Sequence, residues 1–214
     1  MAVGARVRCV VVTPLLLALG VVACSSSSRP VAIVPLVEAG ADASSVPPRM
    51  VFVSKASFFP DFGGIAPADA ACRKEAAAAG LANADAFVAW LAKGGGDAGL
   101  AVLPAARVTS TGPFAVPSGR VVAYDKVALF GAHLALLKSG VDEEADGIPA
   151  RERRVWTGST ASGGGQSDCV NWTSRGASFG TYGLSGHLDA TWIFAGEAVC
   201  SDPKAEYRVY CIEA

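Results

Sequence analysis

The longest apolar run of the chain lies near its start. Residues from Cys9 to Ala23 are almost all apolar, and the cations Arg6 and Arg8 precede them. A transmembrane helix needs about 20 consecutive apolar residues, so this run is short for a membrane span. A positive segment followed by a short apolar one is typical of a signal peptide. The pattern predicts that residues 1–23 are a leader that is removed on export.

Residues 24–48 show neither helical nor strand periodicity. Serines follow Cys24, a proline interrupts the apolar stretch Val31–Val37, and the segment ends in Pro47-Pro48. Proline lacks the N–H that a helix or strand ladder requires, and serine-rich segments are flexible. We therefore predict a tether. The alternative is that Val31–Val37 packs as an extra strand.

Residues 49–214 combine strand and helix patterns, and their number fits one domain. We predict one helix from Ala66 to Gly80 and a second from Ala84 to Lys93, where the apolar residues fall on one helical face. Lys126–Lys138 is the best later helix. Short β-rich runs are found at Met50–Ser54, Arg120–Tyr124, Val155–Thr157, Trp192–Phe194 and Tyr207–Ile212. Helices early and an irregular sheet later indicate an α+β domain.

The charge balance excludes one class of partner. The chain has 18 Lys and Arg residues and 19 Asp and Glu residues, a net charge of −1. A protein that binds nucleic acid needs a basic patch or stripe. We predict no nucleic-acid partner.

The cysteine at the end of the leader has its own role. The segment Val21–Cys24 resembles the lipobox of bacterial lipoproteins. That resemblance implies cleavage before Cys24, acylation of its thiol and a lipid anchor in the membrane; several acyl chains are needed because one binds only marginally. Ser25, in place of an aspartate, favours the outer membrane. The alternative is an ordinary signal peptide that leaves Cys24 as a spare thiol.

The remaining cysteines form an even set. Cys9 leaves with the leader, and the domain contains Cys72, Cys169, Cys200 and Cys211. In an exported protein this predicts two disulfides, for which the residues alone allow three pairings. No cysteine is then left for thiol catalysis or zinc binding.

Seven segments occur in an order that resembles a known family. They are Phe52–Ser54, Gly63–Cys72, Ala79–Leu81, Phe87–Leu91, Val155–Ser159, Cys169–Trp172 and Tyr210–Glu213. Together they resemble endostatin, the C-terminal domain of collagens XV and XVIII, and the bacterial lipoproteins with endostatin-like domains. The resemblance implies a C-type-lectin-like fold, with two early helices on an irregular antiparallel sheet, long glycine-rich loops and the nested disulfides Cys72–Cys211 and Cys169–Cys200.

Residues suited to catalysis are few. The only histidines are His133 and His187, and neither has metal-ligand spacing. Ser185 lies two residues before His187, without the register of a nucleophile elbow. We predict that the chain is not an enzyme and needs no cofactor. The alternative is a hydrolytic enzyme that uses Ser185, His187 and Asp189.

One segment imitates a calcium loop. Asp142–Gly147 has oxygen-bearing side chains at alternate positions and glycine at the sixth, but the twelfth position is Arg153 in place of a bidentate glutamate. Arg151, Arg153 and Arg154 can instead pair with the acids. We predict no metal here, and the alternative is a weak calcium site at Asp142–Asp146. The histidines of the endostatin zinc site have no counterpart.

The aromatic residues divide into core and surface candidates. We expect six of them to be buried, all but Trp192 within the seven segments: Phe52, Trp90, Trp156, Trp172, Trp192 and Tyr210. Phe179 and Tyr182 stand among glycines, and Arg175 is close to them in sequence. Such a loop presents amphipathic contacts at low ordering cost. We predict that these three residues bind the ligand; the alternative is a disordered insertion.

These observations predict a non-enzymatic, adhesin-like lipoprotein of the cell envelope. Residues 1–23 are the leader, 24–48 the anchored tether and 49–214 the binding domain. The expected ligand is an extracellular protein or a polysaccharide.

Overall fold

The computed structural model describes residues 46–94, 101–130, 137–151 and 153–214. The predicted leader, Cys24, His133 and the Val31–Val37 stretch lie outside the described residues. Within them, no helix has the length and apolar character to cross a membrane.

The described residues form an α+β structure around one sheet of eight strands. These are β1 (Arg49–Val53), β2 (Phe87–Ala89), β3 (Phe114–Ala115), β4 (Val121–Ala123), β5 (Arg154–Trp156), β6 (Phe179–Leu184), β7 (Gly196–Val199) and β8 (Arg208–Glu213). Their order is β4-β3-β1-β8-β5-β6-β7, and β2 also pairs with β8. The β1–β3 and β5–β8 pairs are parallel. The sheet is therefore mixed, which corrects the expectation of an antiparallel one.

Strand β8 is the centre of this sheet. It pairs with β1 on one side, and on the other with β5 at its start and β2 at its end. Successive strand residues point to opposite faces. Tyr210 and Ile212 enter one core cluster with Val51, whereas Val209 and Cys211 enter the other with Phe52. The central strands are thus buried on both faces, which explains their almost continuous apolar sequence.

One longer helix, α1 (Ile65–Ala78), packs on the second face. Its buried residues are Ala68, Cys72 and Ala76, which recur every four positions and form one stripe. Small side chains bring the helix close to the sheet, where Cys72 is bonded to Cys211. Gly80, in the left-handed region, follows the helix end as predicted.

Two predicted elements are wrong. Residues 84–93 do not form a helix: a 3₁₀ turn at Ala84–Ala86 leads into strand β2. The residues are apolar because β2 pairs with the buried β8, and the carboxylate of Asp69 accepts the N–H of Ala89 at 2.8 Å. Residues Trp192–Phe194 do not form a strand. Trp192 ends a 3₁₀ helix, Ala190–Trp192, at whose start the Asp189 side chain accepts the N–H of Thr191, and the next strand is β7.

Other predictions are confirmed. The structure contains the disulfides Cys72–Cys211 and Cys169–Cys200. The predicted helix Lys126–Lys138 is found in part: α3 covers Lys126–Phe130, residues 131–136 lie outside the described ones, and Leu137 and Lys138 are not helical. A short helix α2, which the sequence did not predict, covers Pro104–Arg107. All six aromatic residues expected in the core are at most 1% exposed: Phe52, Trp90, Trp156, Trp172, Trp192 and Tyr210.

Candidate ligand-binding surface

The most unusual backbone of the domain is a left-handed turn at Cys169–Trp172. All four residues have φ between 49° and 63°, and none is glycine. A left-handed conformation costs a non-glycine L-residue about 1–2 kcal/mol, and more for a β-branched one such as Val170. Such strain persists only where surrounding contacts enforce it.

Those contacts are present on both sides of the left-handed turn. Asp168 accepts the N–H of Asn171 at 3.0 Å and that of Gly94 at 2.8 Å through its two carboxylate oxygens. The buried Trp172 donates its indole N–H to Ala92, and its carbonyl accepts the N–H groups of Gly63 and Gly64. Cys169 is bonded to Cys200. The turn is therefore clamped at each end.

The clamped turn exposes the side chain at its centre. Val170 is 49% exposed, and Phe179, at the start of β6, is also 49% exposed. Val199 on β7 is the cross-strand partner of Phe179 and is 38% exposed. Val170 follows Cys169 and Val199 precedes Cys200, and these two cysteines are bonded to each other with their Cα atoms 5.7 Å apart. We call Val170, Phe179 and Val199 the apolar patch.

A shallow depression adjoins the apolar patch. Its volume is ≈ 380 Å³. Polar groups share its lining with the two apolar side chains: Gly94, Gln166, Ser167, Asp168, Val170, Asn171, Ser178 and Phe179. Apolar contacts beside a few polar groups are typical of ligand sites, where the polar groups fix orientation.

The three predicted ligand residues do not form one group. Phe179 lies in the apolar patch. Tyr182 is three positions along β6 and so points to the opposite face, where it is half-buried against Tyr207. Arg175 is exposed, and its guanidinium lies 3.9 Å from the ring centroid of Phe59. Only Phe179 lines the depression.

The glycine-rich segment is a strand rather than a loop or a disordered insertion. A Cβ on Gly180 would lie 2.6 Å from the sulfur of Cys169, and one on Gly183 would lie 2.0 Å from the carbonyl oxygen of Trp192. These glycines therefore permit close packing. The strand is closely packed against Cys169 and against the backbone of Trp192.

The residues of the alternative hydrolytic site do not form a nucleophile and base pair. Ser185 is 1% exposed, and its hydroxyl has no hydrogen-bond partner among the described residues. A nucleophilic serine needs a base within hydrogen-bond reach. The Asp189 carboxylate accepts from Thr191, and this hydrogen bond, with a smaller contribution from His187, lowers the pKa of Asp189.

The acids of the calcium-like segment are paired with cations from elsewhere. Arg120 bonds both Asp142 and Glu143, and Arg208 bonds Glu144 at 2.6 Å. Lys55 lies 3.9 Å from both Glu144 and Asp146.

Glu143 is a buried member of that network. Burial acts to raise its pKa, but hydrogen bonds from Ser118 and Arg120 outweigh burial and hold the pKa below its usual value. Within the described parts of the chain, no group of three or more His, Cys, Asp or Glu side chains is placed to hold a metal ion.

Sequence reasoning missed Val170, Asn171 and Val199. Valine is usually buried, so its residue type does not predict an exposed side chain. A left-handed turn that contains no glycine has no sequence pattern by which to predict it. One signal was present, since each valine adjoins a cysteine of the same disulfide. No protein-family model matches this chain, and a search of curated proteins found no significant match.

Proposed function

We propose that this chain is a non-enzymatic lipoprotein of the cell envelope that binds an extracellular protein or a polysaccharide, as an adhesin does. Cys24 carries the lipid anchor, residues 24–48 are the tether, and the anchor lies in the outer membrane. The domain that follows has a C-type-lectin-like fold related to endostatin. The apolar patch is the observation on which the binding role depends.

The patch supports binding because of where it lies. Exposed apolar side chains that adjoin one another commonly mark interaction sites, whereas single ones are ordinary. Here Val170 and Phe179 line the depression, Val199 is the cross-strand partner of Phe179, and the two valines each adjoin a cysteine of one disulfide. Because the left-handed turn and β6 are held by many contacts, little conformational entropy is lost when a ligand binds.

The fold proposal has separate support. The two disulfides are nested, and the outer one joins α1 to the central strand β8. This pairing is the one that the family resemblance implies. No observation favours the hydrolytic alternative, since the Ser185 hydroxyl has no base within reach among the described residues.

The binding proposal is tested with the mature chain in which Cys24→Ser makes the protein soluble. We expect it to bind at least one ligand on arrays of glycans and extracellular-matrix proteins. Phe179→Ser should then weaken that binding at least tenfold. Val127→Ser is the matched control, because Val127 is 76% exposed on α3 and outside the patch. A folded protein that binds nothing would contradict the proposal, as would equal losses in both variants.

The anchor is tested in cells of a Gram-negative host that express the full chain. We expect radiolabelled palmitate to be incorporated into the wild type and not into the Cys24→Ser variant. Label in both proteins, or in neither, would contradict the anchor. This result is independent of the binding result.

A further inference from the structure

Strand β7 is an end strand of the sheet. Among the described residues it pairs only with β6, and its residues Glu197 and Val199 are exposed. An edge strand with unpaired backbone groups can pair with another extended chain. Whether β7 can do so depends on which of its N–H and C=O groups point away from β6.

The hydrogen bonds of β6 answer this question. Thr181, the partner of Glu197, donates its N–H to Ser167, and its carbonyl accepts the N–H of Thr157. Both backbone groups of Thr181 therefore point away from β7, and Glu197 and Thr181 form a non-hydrogen-bonded pair. It follows that the N–H and C=O of Glu197 point to the free edge.

Val199 has the same orientation. The N–H of Cys200 donates to Ser178 at 2.8 Å, which makes Val199 and Phe179 another non-hydrogen-bonded pair. The N–H of Val199 therefore also points outward, while its carbonyl accepts the N–H of Asp202 at 3.0 Å. The free edge of β7 presents two donors and one acceptor, spaced as in a β-strand.

We propose that β7 accepts an extended polypeptide segment of the ligand as an added strand. This inference rests on the proposed binding function and selects a protein over a polysaccharide. Backbone hydrogen bonds supply affinity in this mode, and pockets for alternate side chains supply specificity.

The side chains of β7 define the segment that fits. Val199 and Phe179 lie opposite each other and so on the same sheet face; an apolar side chain of the added strand beside Val199 extends this row. Glu197 is on the same face, two positions away. Its carboxylate accepts hydrogen bonds from the neutral side chains of Ser167 at 2.5 Å and Gln166 at 3.4 Å, and no cation among the described residues pairs with its charge. The matching segment therefore has an apolar residue and, two positions away, a lysine or arginine.

The same charge disfavours a second copy of this chain as the added strand. Antiparallel pairing that sets Glu197 against Glu197 or Val199 of another β7 places the two Glu197 side chains directly opposite or diagonal to each other, and like charges at these positions are destabilising. A segment with a basic residue there is stabilised. The segment therefore belongs to another protein.

The test begins with peptides selected from a phage-displayed random library on the immobilised, mature Cys24→Ser chain. We expect enrichment of peptides in which apolar and basic residues alternate. The best peptide is then synthesised with N-methyl groups on every second residue, in each of the two registers. One register should weaken binding at least tenfold and the other should not, because an added strand faces β7 with alternate N–H groups.

Two variants of the protein complete the test. Glu197→Pro removes the outward N–H, and proline is tolerated on edge strands; we expect at least a tenfold loss of peptide binding. Glu197→Gln keeps the N–H and should reduce only the preference for basic residues. Circular dichroism checks that both variants are folded. The N-methylated peptides are tested on a protein without a substitution in β7, so that result does not depend on the folding of either variant.

The outcomes separate this inference from the proposed function. Equal binding in both N-methyl registers, or peptide binding that a folded Glu197→Pro variant retains, would overturn strand addition. Binding of glycans without any enriched peptide would also overturn it and leave the binding function intact. A chain that binds neither peptides nor array ligands overturns both.

Discussion

A side chain on Gly183 would have its Cβ 2.0 Å from the carbonyl oxygen of Trp192. Strand β6 and the 3₁₀ helix Ala190–Trp192 therefore touch through their backbones. The indole of Trp192 is buried against Trp90 and Tyr210, so the helix has no room to retreat.

The first prediction concerns this contact. Gly183→Ala should lower the free energy of unfolding by about 3 kcal/mol, at the upper end of overpacking effects, because β6 and the helix must separate. Urea denaturation measures the change. Gly176→Ala is the control, since its Cβ would meet only the hydroxyl of the half-buried loop residue Ser174, at 3.1 Å. Equal effects of the two substitutions would contradict the packing role of Gly183.

The disulfides provide a second prediction. They join residues 139 and 31 positions apart. Replacing Cys72 and Cys211 by alanine should cost about 5 kcal/mol, and replacing Cys169 and Cys200 about 4 kcal/mol, from loop-closure entropy in the unfolded chain. Together these values approach the whole stability of a domain, about 5–15 kcal/mol, so we expect reduction to unfold the protein. A melting temperature that reductant leaves unchanged would contradict this.

The third prediction concerns the strained left-handed turn. Val170→Gly should raise the free energy of unfolding by about 0.5–1 kcal/mol, because glycine adopts positive φ freely and this gain exceeds its larger entropy loss on folding. The same substitution should weaken ligand binding, since it removes an apolar side chain from the patch. Val127→Gly, in helix α3, should instead destabilise by about 1 kcal/mol. If Val170→Gly is more stable and binds the ligand as tightly as the wild type, Val170 is not part of the ligand site.

Acid stability gives the fourth prediction. The Glu213 carboxylate accepts from Arg49 at 2.8 Å, from the N–H of Met50 at 3.0 Å and from Asn83 at 2.9 Å. Burial acts to raise the pKa of Glu213, but these hydrogen bonds outweigh it and lower the pKa. The resulting stability is fully present above the unfolded pKa of about 4.3 and is lost as the pH falls through the lower folded value.

Glu213→Gln tests that linkage. At pH 7 the variant should be less stable by about 1–3 kcal/mol, the range for hydrogen bonds to a charged group. The difference in the free energy of unfolding between this variant and the wild type should shrink between pH 5 and pH 3. It shrinks because the Glu213 carboxylate of the wild type becomes protonated in that range. Thermal unfolding across this range measures it. Glu206→Gln, on the exposed surface, should stay within about 0.5 kcal/mol of the wild type at pH 7.

Elements whose pattern lies within one short stretch of sequence are predictable. The alanine-rich sequence that ends at Gly80 predicts helix α1, and the short β-rich runs at Met50–Ser54 and Tyr207–Ile212 predict β1 and β8. The second helix was wrong because Phe87 to Leu91 satisfies a helical face and a buried strand equally well. Pairing with β8, more than 120 residues away, decides between them, and no window of local sequence contains that partner.

The site was less predictable than the fold. An aromatic residue among glycines correctly indicated that Phe179 is exposed. The same pattern did not predict a strand. Gly180 and Gly183 are required by close contacts with Cys169 and Trp192, and a local sequence window does not show these contacts. Val170 is exposed because of the left-handed turn, and Val199 is exposed because of its register with β6. Neither feature can be predicted from the residue type.

The central position of β8 has a consequence for how the protein is made. Among the described strands β8 is the last in the chain, so a nascent chain that ends before Arg208 lacks the partner that β1, β2 and β5 require. Pairing over such sequence distances is slow. We therefore expect the native sheet to form late, after β8 has been synthesised.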